Sequence, residues 1–318
     1  MPAVRLSTKD LILPYFVEEG KNKKEAIKNF PGVFRFSVDR LIRDVEAACR
    51  LGMGKIFFFG ISGKKDEKGS AAYEENSIVA QAVKEVKKEF PGMVVMTDVC
   101  LCAYTTHGHC GVLNSEVRPR RSGPRSDLDC RIDNGRTLDA LAKMALRHAE
   151  AGTDWVAPSA MAKKQVAAIR AALDKNGFKK TKILGFSAKF ASNFYGPFRQ
   201  AADSAPAFGD RSSYQLDYRD AGFALREIEA DIKEGADMAM VKPALSYLDI
   251  VRLARQKFGF PLAVYNVSGE YAFVKYGAKT GLWDEKKMVF EVLTSIKRAG
   301  ADWIITYHAK DIARWLKG

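Results

Sequence analysis

Two lysines stand at the ends of short apolar runs, Lys182-Ile-Leu-Gly-Phe-Ser-Ala-Lys189 and Met238-Ala-Met-Val-Lys242-Pro243. Neither run has helical periodicity and both stop at breakers or polar loop residues, so each reads as a buried strand. A lysine in that position is paired, or snorkels its ammonium to water, or loses its charge. Burial lowers an ammonium pKa, and a second cation nearby lowers it further. A neutral amine attacks a carbonyl and condenses to a Schiff base. Two lysines in equivalent contexts favour that chemistry over two unrelated ion pairs.

A second cluster is Cys100-x-Cys102-x7-Cys110, with His107 and His109 between. Thiolates at such short spacing suit zinc, and three of them leave a fourth position open for water or substrate. The alternative is three reduced, buried thiols. His107 and His109 are further ligands, or they hold a ligand or water through a ring N–H. His148 falls in a helical run and reads as a surface residue.

These groups need a frame. Apolar runs at Asp10–Val17, Lys55–Ile61, Met93–Val99, Asp154–Ala160, Lys182–Phe190, Met238–Ala244, Leu262–Ser268 and Asp302–His308 give eight candidate strands. Amphipathic helical patterns over 37–51, 73–89, 137–151, 162–176, 222–234, 246–258 and 285–299 lie between most of them. Three junctions repeat one pattern: Ala151-Gly-Thr-Asp154, Glu234-Gly-Ala-Asp237 and Ala299-Gly-Ala-Asp302. Each is a helix end, a glycine for a left-handed cap, then an aspartate leading into an apolar strand. Alternating units of this number predict an α/β fold, a (β/α)8 TIM barrel spanning 1–318 as a single domain, with a short N-terminal arm over 1–9. An open doubly wound sheet is the competitor, weakened because no Gly-x-Gly-x-x-Gly follows an early strand.

A barrel carries its chemistry at the C-terminal ends of its strands. The polar residues fall there: Asp98 and Cys100, Ser159, Lys189, Lys242, Ser268 and Glu270, and Tyr307 with His308. Two loops are long. The stretch 112–134 carries Arg118, Arg120, Arg121, Arg125 and Cys130; the stretch 194–220 carries Tyr195, Arg199, Arg211 and Tyr214 and reads as an active-site lid.

The formal net charge is +13 over 318 residues, spread along the chain and unaccompanied by any nucleic-acid-binding motif. Small anionic substrates account for it, and no nucleic-acid partner is expected. No apolar stretch approaches the roughly 20 residues that span a bilayer, and the N-terminus lacks the apolar core of a secretory signal. A cytoplasmic protein with no membrane partner is expected. Five cysteines, an odd number, do not suggest a secreted disulfide scaffold, and Cys49 and Cys130 take no assigned role.

Several segments together resemble the porphobilinogen synthase (5-aminolevulinate dehydratase) family over nearly the whole chain. They are Thr97-Asp-Val-Cys-Leu-Cys-Ala-Tyr-Thr-Thr-His-Gly-His-Cys-Gly111, Ser187-Ala-Lys-Phe-Ala-Ser-Asn-Phe-Tyr-Gly-Pro-Phe-Arg199, Phe208-Gly-Asp-Arg211, Met240-Val-Lys-Pro-Ala244 and Val267-Ser-Gly-Glu270. The resemblance implies a (β/α)8 barrel and a lyase that condenses two 5-aminolevulinates to porphobilinogen, losing two waters, on the route to haem and other tetrapyrroles. It implies a Schiff base on Lys242 with the substrate that supplies the propionate side, and a second on Lys189 with the one that supplies the acetate side. It places one catalytic zinc per subunit on Cys100, Cys102 and Cys110, with Asp98 orienting water or moving protons. Arg199 and Arg211 would hold one substrate carboxylate, Ser268 and Tyr307 the other. Ser159, Tyr195, Phe198 and Gln215 would line the substrate site. A homo-oligomer is implied.

The chain departs from that family's pattern at Ala157-Pro-Ser-Ala-Met-Ala-Lys-Lys-Gln165, where Ala160 and Lys163 replace acidic residues. Ile232 stands where some members carry a glutamate for an allosteric magnesium, so that ion is not expected. Ser213 stands where some carry another cysteine, so no second zinc is expected. A paralog acting on another amino ketone, a Schiff-base aldolase and a non-catalytic metal-binding barrel are the alternatives. Retention of both lysines and both arginines argues against the last two.

Overall fold

Three aspartates show how the helix–strand units are joined. Asp154, Asp237 and Asp302 each follow a glycine in positive φ, namely Gly152, Gly235 and Gly300. Each places a carboxylate Oδ2 2.8 Å from the backbone N–H of Val95, Ile183 or Leu262 respectively. Those amides lie at the start of the neighbouring strand, so the residue that leads into one strand also fixes the start of the strand beside it.

The computed structural model describes residues 3–114 and 132–318. In chain order its elements are β1 (Leu11–Glu18), β2 (Lys24–Ala26), β3 (Phe34–Phe36), α1 (Val38–Arg50), β4 (Lys55–Ile61), α2 (Ile78–Glu89), β5 (Val94–Val99), α3 (Asn134–Glu150), β6 (Trp155–Pro158), α4 (Gln165–Lys175), β7 (Lys182–Lys189), α5 (Gly196–Ala201), α6 (Ala221–Lys233), β8 (Met238–Lys242), α7 (Leu248–Phe258), β9 (Leu262–Asn266), α8 (Ser268–Lys279), α9 (Glu285–Ala299), β10 (Trp303–Thr306) and α10 (Ala309–Trp315). Among the described residues β1, β4, β5, β6, β7, β8, β9 and β10 pair in that order, all parallel, and β10 pairs back onto β1. The sheet is closed, and the expected TIM barrel stands.

Strand periodicity of two sorts the side chains. Ile12, Phe57, Met96, Ala157, Phe186, Met240, Tyr265 and Ile305 pack together inside the barrel. Their neighbours Leu11, Phe58, Val95, Val241, Val264 and Ile304 face the helices. Most strands are therefore apolar on both faces, which is why they read as continuous apolar runs rather than alternating ones. No helix among the described residues is long and apolar enough to cross a membrane.

Several features differ from the sequence reading, among them the short helices α5 and α10, which it did not place. The hairpin of β2 with β3, the latter paired to β1, was not expected; at three residues each, these strands give too short a pattern to detect. Helix α8 was missed because it opens Ser-Gly-Glu and buries residues all along its length. Its Gly277 has no room for a side chain, since an added Cβ would lie 1.9 Å from the Trp283 ring. His148 is a correction: it is fully buried, on the stripe of α3 that also buries Leu141, Met144 and Ala145. Burial pushes its pKa down to about 3, so the ring is neutral. Arg118, Arg120, Arg121, Arg125 and Cys130 lie outside the described residues, and an isolated bridge between Leu113 and Ile132 joins the feet of that loop.

Candidate active site

The two lysines owe their juxtaposition to an irregularity. Leu184 pairs with Met238 and Gly185 with Ala239, a register that would continue to Ala188 opposite Lys242 and turn Lys189 to the helix side. Between Gly185 and Ala188 strand β7 carries one extra residue. Ala188 then pairs with Val241, and Lys189 with Lys242. Phe186 faces the lumen and Ala188 faces out. Both lysines are buried, 5% and 4% exposed.

The Lys242 Nζ sits among aromatic faces, 4.3 Å from the Tyr265 ring centre, 4.8 Å from Phe198, 5.1 Å from Tyr195 and 5.3 Å from Phe186. Such faces attract a cation. Burial, with the Lys189 charge, nevertheless prevails and brings the Lys242 pKa down to about 7. Lys189 donates to the Ser159 carbonyl at 2.5 Å. Asp98 faces both amines. Burial raises its pKa to about 6, against the Ser159 hydroxyl and the two lysines, which lower it. Its Oδ1 is sealed from solvent and has no hydrogen-bond partner among the described residues. An unpartnered carboxylate oxygen beside two amines can accept or return a proton.

The sulfurs of Cys100, Cys102 and Cys110 all lie within 4.8 Å of one another and are buried. Cys100 and Cys102 Sγ are 3.4 Å apart. Hydrogen bonds from the Cys100 and Cys102 thiols, together with the Arg211 charge, push the Cys110 pKa well down. Three convergent sulfurs with one already biased to thiolate are a donor set that a metal ion fits. The two histidines serve another purpose. His107 Nδ1 accepts from the His109 amide at 3.0 Å, so its Nε2–H donates to the Glu67 carbonyl at 3.2 Å. His109 Nε2 lies 3.0 Å from the Phe208 carbonyl, and Nδ1 lies 3.1 Å from the Tyr214 hydroxyl. Neither histidine belongs to the three-sulfur cluster; they tie the cysteine loop to its surroundings. Ala160 packs in the apolar cluster around Cys100 and Cys102, so the altered stretch begins inside the wall rather than on the rim.

The segment 194–220 lies over this end of the barrel. Phe198 on α5 packs edge-on against Phe59 at 4.9 Å and covers Lys242. The Tyr195 hydroxyl donates to the carbonyls of Phe190 and Lys242, at 2.8 and 3.1 Å. The Ser268 hydroxyl accepts from the Phe198 amide and donates to the Phe194 carbonyl, both at 3.1 Å. Tyr307 and Tyr265 share a hydroxyl contact of 2.8 Å. Arg211 is buried, and its Nη2 donates to the Gly108 and Ser204 carbonyls. The Nε atoms of Arg199 and Arg211 and both amide atoms of Gln215 are buried without hydrogen-bond partners among the described residues.

The structure gives one strand-end residue its role and adds one contributor that the sequence reading did not name. Glu270 is 1% exposed, and its carboxyl accepts the amides of Ala244, Leu245 and Val267 at 3.0, 2.5 and 2.7 Å. It therefore holds the turn after Lys242 against the end of β9. Tyr265 presents its face to Lys242. Glu270 is legible as a polar residue at a strand end, though not as the holder of this turn; Tyr265 reads like any strand aromatic.

The model of the "Delta-aminolevulinic acid dehydratase" family matches residues 1–315. The chain belongs to the delta-aminolevulinic acid dehydratase family. A dehydratase of that name from Archaeoglobus fulgidus is 50% identical over 313 residues, covering 98% of this chain and 92% of its own. One from Methanothermus sociabilis is 51% identical over 307 residues, covering 96% and 91%, and one from Bacillus subtilis is 47% identical over 312, covering 98% and 92%. Among solved structures, the Toxoplasma gondii dehydratase in complex with the reaction product porphobilinogen is similar with a TM-score of 0.92 and 38% identity, over 98% of this chain and 86% of that one. Delta-aminolevulinic acid dehydratase relatives of this likeness cover the whole barrel.

Proposed function

We propose that this chain is a porphobilinogen synthase that joins two 5-aminolevulinates through imines on Lys242 and Lys189. The observation that carries the mechanism is the register pairing of the two lysines inside the barrel. Two ketones enter the reaction and two waters leave, so each ketone oxygen is lost once. Imine formation on a lysine amine removes a ketone oxygen as water, and two adjacent amines account for both losses.

Lys242 is a competent nucleophile near neutrality, because a pKa of about 7 leaves a large share of neutral amine. It takes the propionate-side substrate. Lys189 takes the acetate-side substrate. Asp98 faces both and shuttles the protons that carbinolamine breakdown and ring closure require. The orphaned Nε atoms of Arg199 and Arg211 and the Gln215 amide supply donors for one substrate carboxylate. Ser268 and Tyr307 serve the other, with Ser159, Tyr195 and Phe198 shaping the walls.

Cys100, Cys102 and Cys110 would hold a zinc ion, which the sulfur donor set suits and which supplies Lewis-acid polarisation of a substrate oxygen when bound. The segment 194–220 acts as the lid, excluding water that would hydrolyse the imines. The family reading also carries assembly as a homo-oligomer. Trapping with borohydride and 5-aminolevulinate, followed by peptide mapping, tests the reading: an adduct on Lys242 supports it, and wild-type protein that turns over without any lysine adduct overturns it.

A further inference from the structure

The bulge in β7 is propped from outside the barrel. Helix α6 packs on the outer face of β7, and its buried stripe reads Ala224, Ile228, Asp231. The first two are ordinary apolar choices. The third is a carboxylate, 9% exposed. Its Oδ2 occupies the space where a side chain on Gly185 would begin: an added Cβ there would lie 2.6 Å from Asp231 Oδ2 and 3.0 Å from Ser187 Oγ. The Ser187 hydroxyl donates to the Gly185 carbonyl at 3.2 Å. The carboxyl, the hydroxyl and the bare glycine thus share one small space at the residues where the register shifts.

Burying a carboxyl is unfavourable unless it does something an apolar side chain would not. Burial is also the main reason that the Asp231 pKa rises to about 7, with Glu234 and Glu227 adding to it and Ser187 opposing. Asp231 Oδ2 is buried without a hydrogen-bond partner among the described residues. At neutrality a substantial share of the carboxyl is the protonated acid, which can turn its O–H to the Ser187 oxygen while Ser187 donates to Gly185. A chain of that kind fixes the local twist that a leucine in the same place would leave free.

We propose that Asp231 is a positioning residue for Lys189: through Ser187 and Gly185 it holds the β7 bulge that turns the Lys189 amine into the lumen beside Lys242. This rests on the two-imine reading above. Were the bulge to relax into the register seen at Leu184 and Gly185, Ala188 would face Lys242 and the second amine would leave the site.

The test uses the full-length, metal-loaded protein and compares wild type with Asp231→Leu and Asp231→Asn. Three quantities are read: turnover of 5-aminolevulinate, the borohydride adduct on Lys242, and bound metal. Misplacing a reacting group by about 1 Å costs on the order of 100-fold, so Asp231→Leu is expected to lose roughly 10- to 100-fold in kcat. The Lys242 adduct and the metal content stay at wild-type levels, and Asp231→Asn, which can still donate to Ser187, recovers most of the rate. Parallel loss of turnover, adduct and metal would mean general structural damage and overturn the proposal. So would unchanged turnover, or a crystal structure of Asp231→Leu with Lys189 still bonded to the Ser159 carbonyl. If Asp231→Leu does not fold, Ser187→Ala is read by the same criteria. Failure of wild-type protein to form any lysine adduct during turnover would sink the imine reading instead, and is seen before any variant is made.

Discussion

The Arg211 guanidinium reaches from the segment 194–220 to the Gly108 carbonyl, 3.0 Å away inside the cysteine loop. The same Nη2 holds Ser204. One side chain therefore joins the segment 194–220 to the loop that carries Cys102 and Cys110, while its Nε is left for another acceptor. Hydrogen bonds to a charged group are worth about 1.5–3 kcal/mol. Arg211→Ala is expected to raise the KM for 5-aminolevulinate by roughly 10-fold or more on that basis, and to make the 196–215 segment easier to cleave with protease. An unchanged KM would remove Arg211 from the carboxylate site.

Lys242 gives a pH prediction. Burial first, and the Lys189 charge second, bring its pKa to about 7. Deprotonation yields the nucleophile, so the initial rate of imine trapping on Lys242 should rise with pH up to about 7 and then level off. Lys189→Met removes the neighbouring charge, so the profile should shift to higher pH. A rate that is flat between pH 6 and 9, or a shift the other way, would contradict the assignment.

The three sulfurs give a metal prediction. Cys102→Ser should bind far less zinc than wild type, measured by elemental analysis after gel filtration, and should lose most turnover. Cys49 is free and outside the cluster, so Cys49→Ser should keep its metal. Equal metal in both variants would show that the ion sits elsewhere.

His148 gives a stability prediction. Its folded pKa, about 3, lies below the usual histidine value, because burial disfavours the charged ring. The unfolded chain therefore binds the extra proton first as pH falls. Stability from the neutral ring is fully present above the unfolded pKa, about 6.5, and is lost as pH drops toward 3. Both ring nitrogens are buried without hydrogen-bond partners among the described residues, and an unmet buried polar group costs about 1–3 kcal/mol. His148→Leu should raise the melting temperature and flatten its decline between pH 7 and 5. A lower melting temperature at pH 7 would mean that the ring has a use not seen here.

Much of this architecture was legible in the chain. The Gly-x-Asp junctions signalled repeated units because each performs one job, a left-handed cap followed by a carboxylate on the adjacent strand. The strand ends pointed to the site because a barrel gathers them at one mouth. What escaped has physical reasons. Pattern alone places Lys189 and Lys242 at strand ends, but it cannot show that one extra residue in β7 turns both to the same face. His148 looked exposed because polarity predicts exposure only on average, and one neutral ring is tolerated inside. Arg211, Ser268 and Tyr195 read as substrate ligands, whereas the structure shows each also bonded to backbone groups of the segment 194–220, the cysteine loop or the strand ends.

The most direct measurement is porphobilinogen formation from 5-aminolevulinate by protein stripped with chelator, with and without added zinc. The account predicts negligible product from the stripped protein and restored product with zinc. No product from folded, zinc-loaded protein would contradict it.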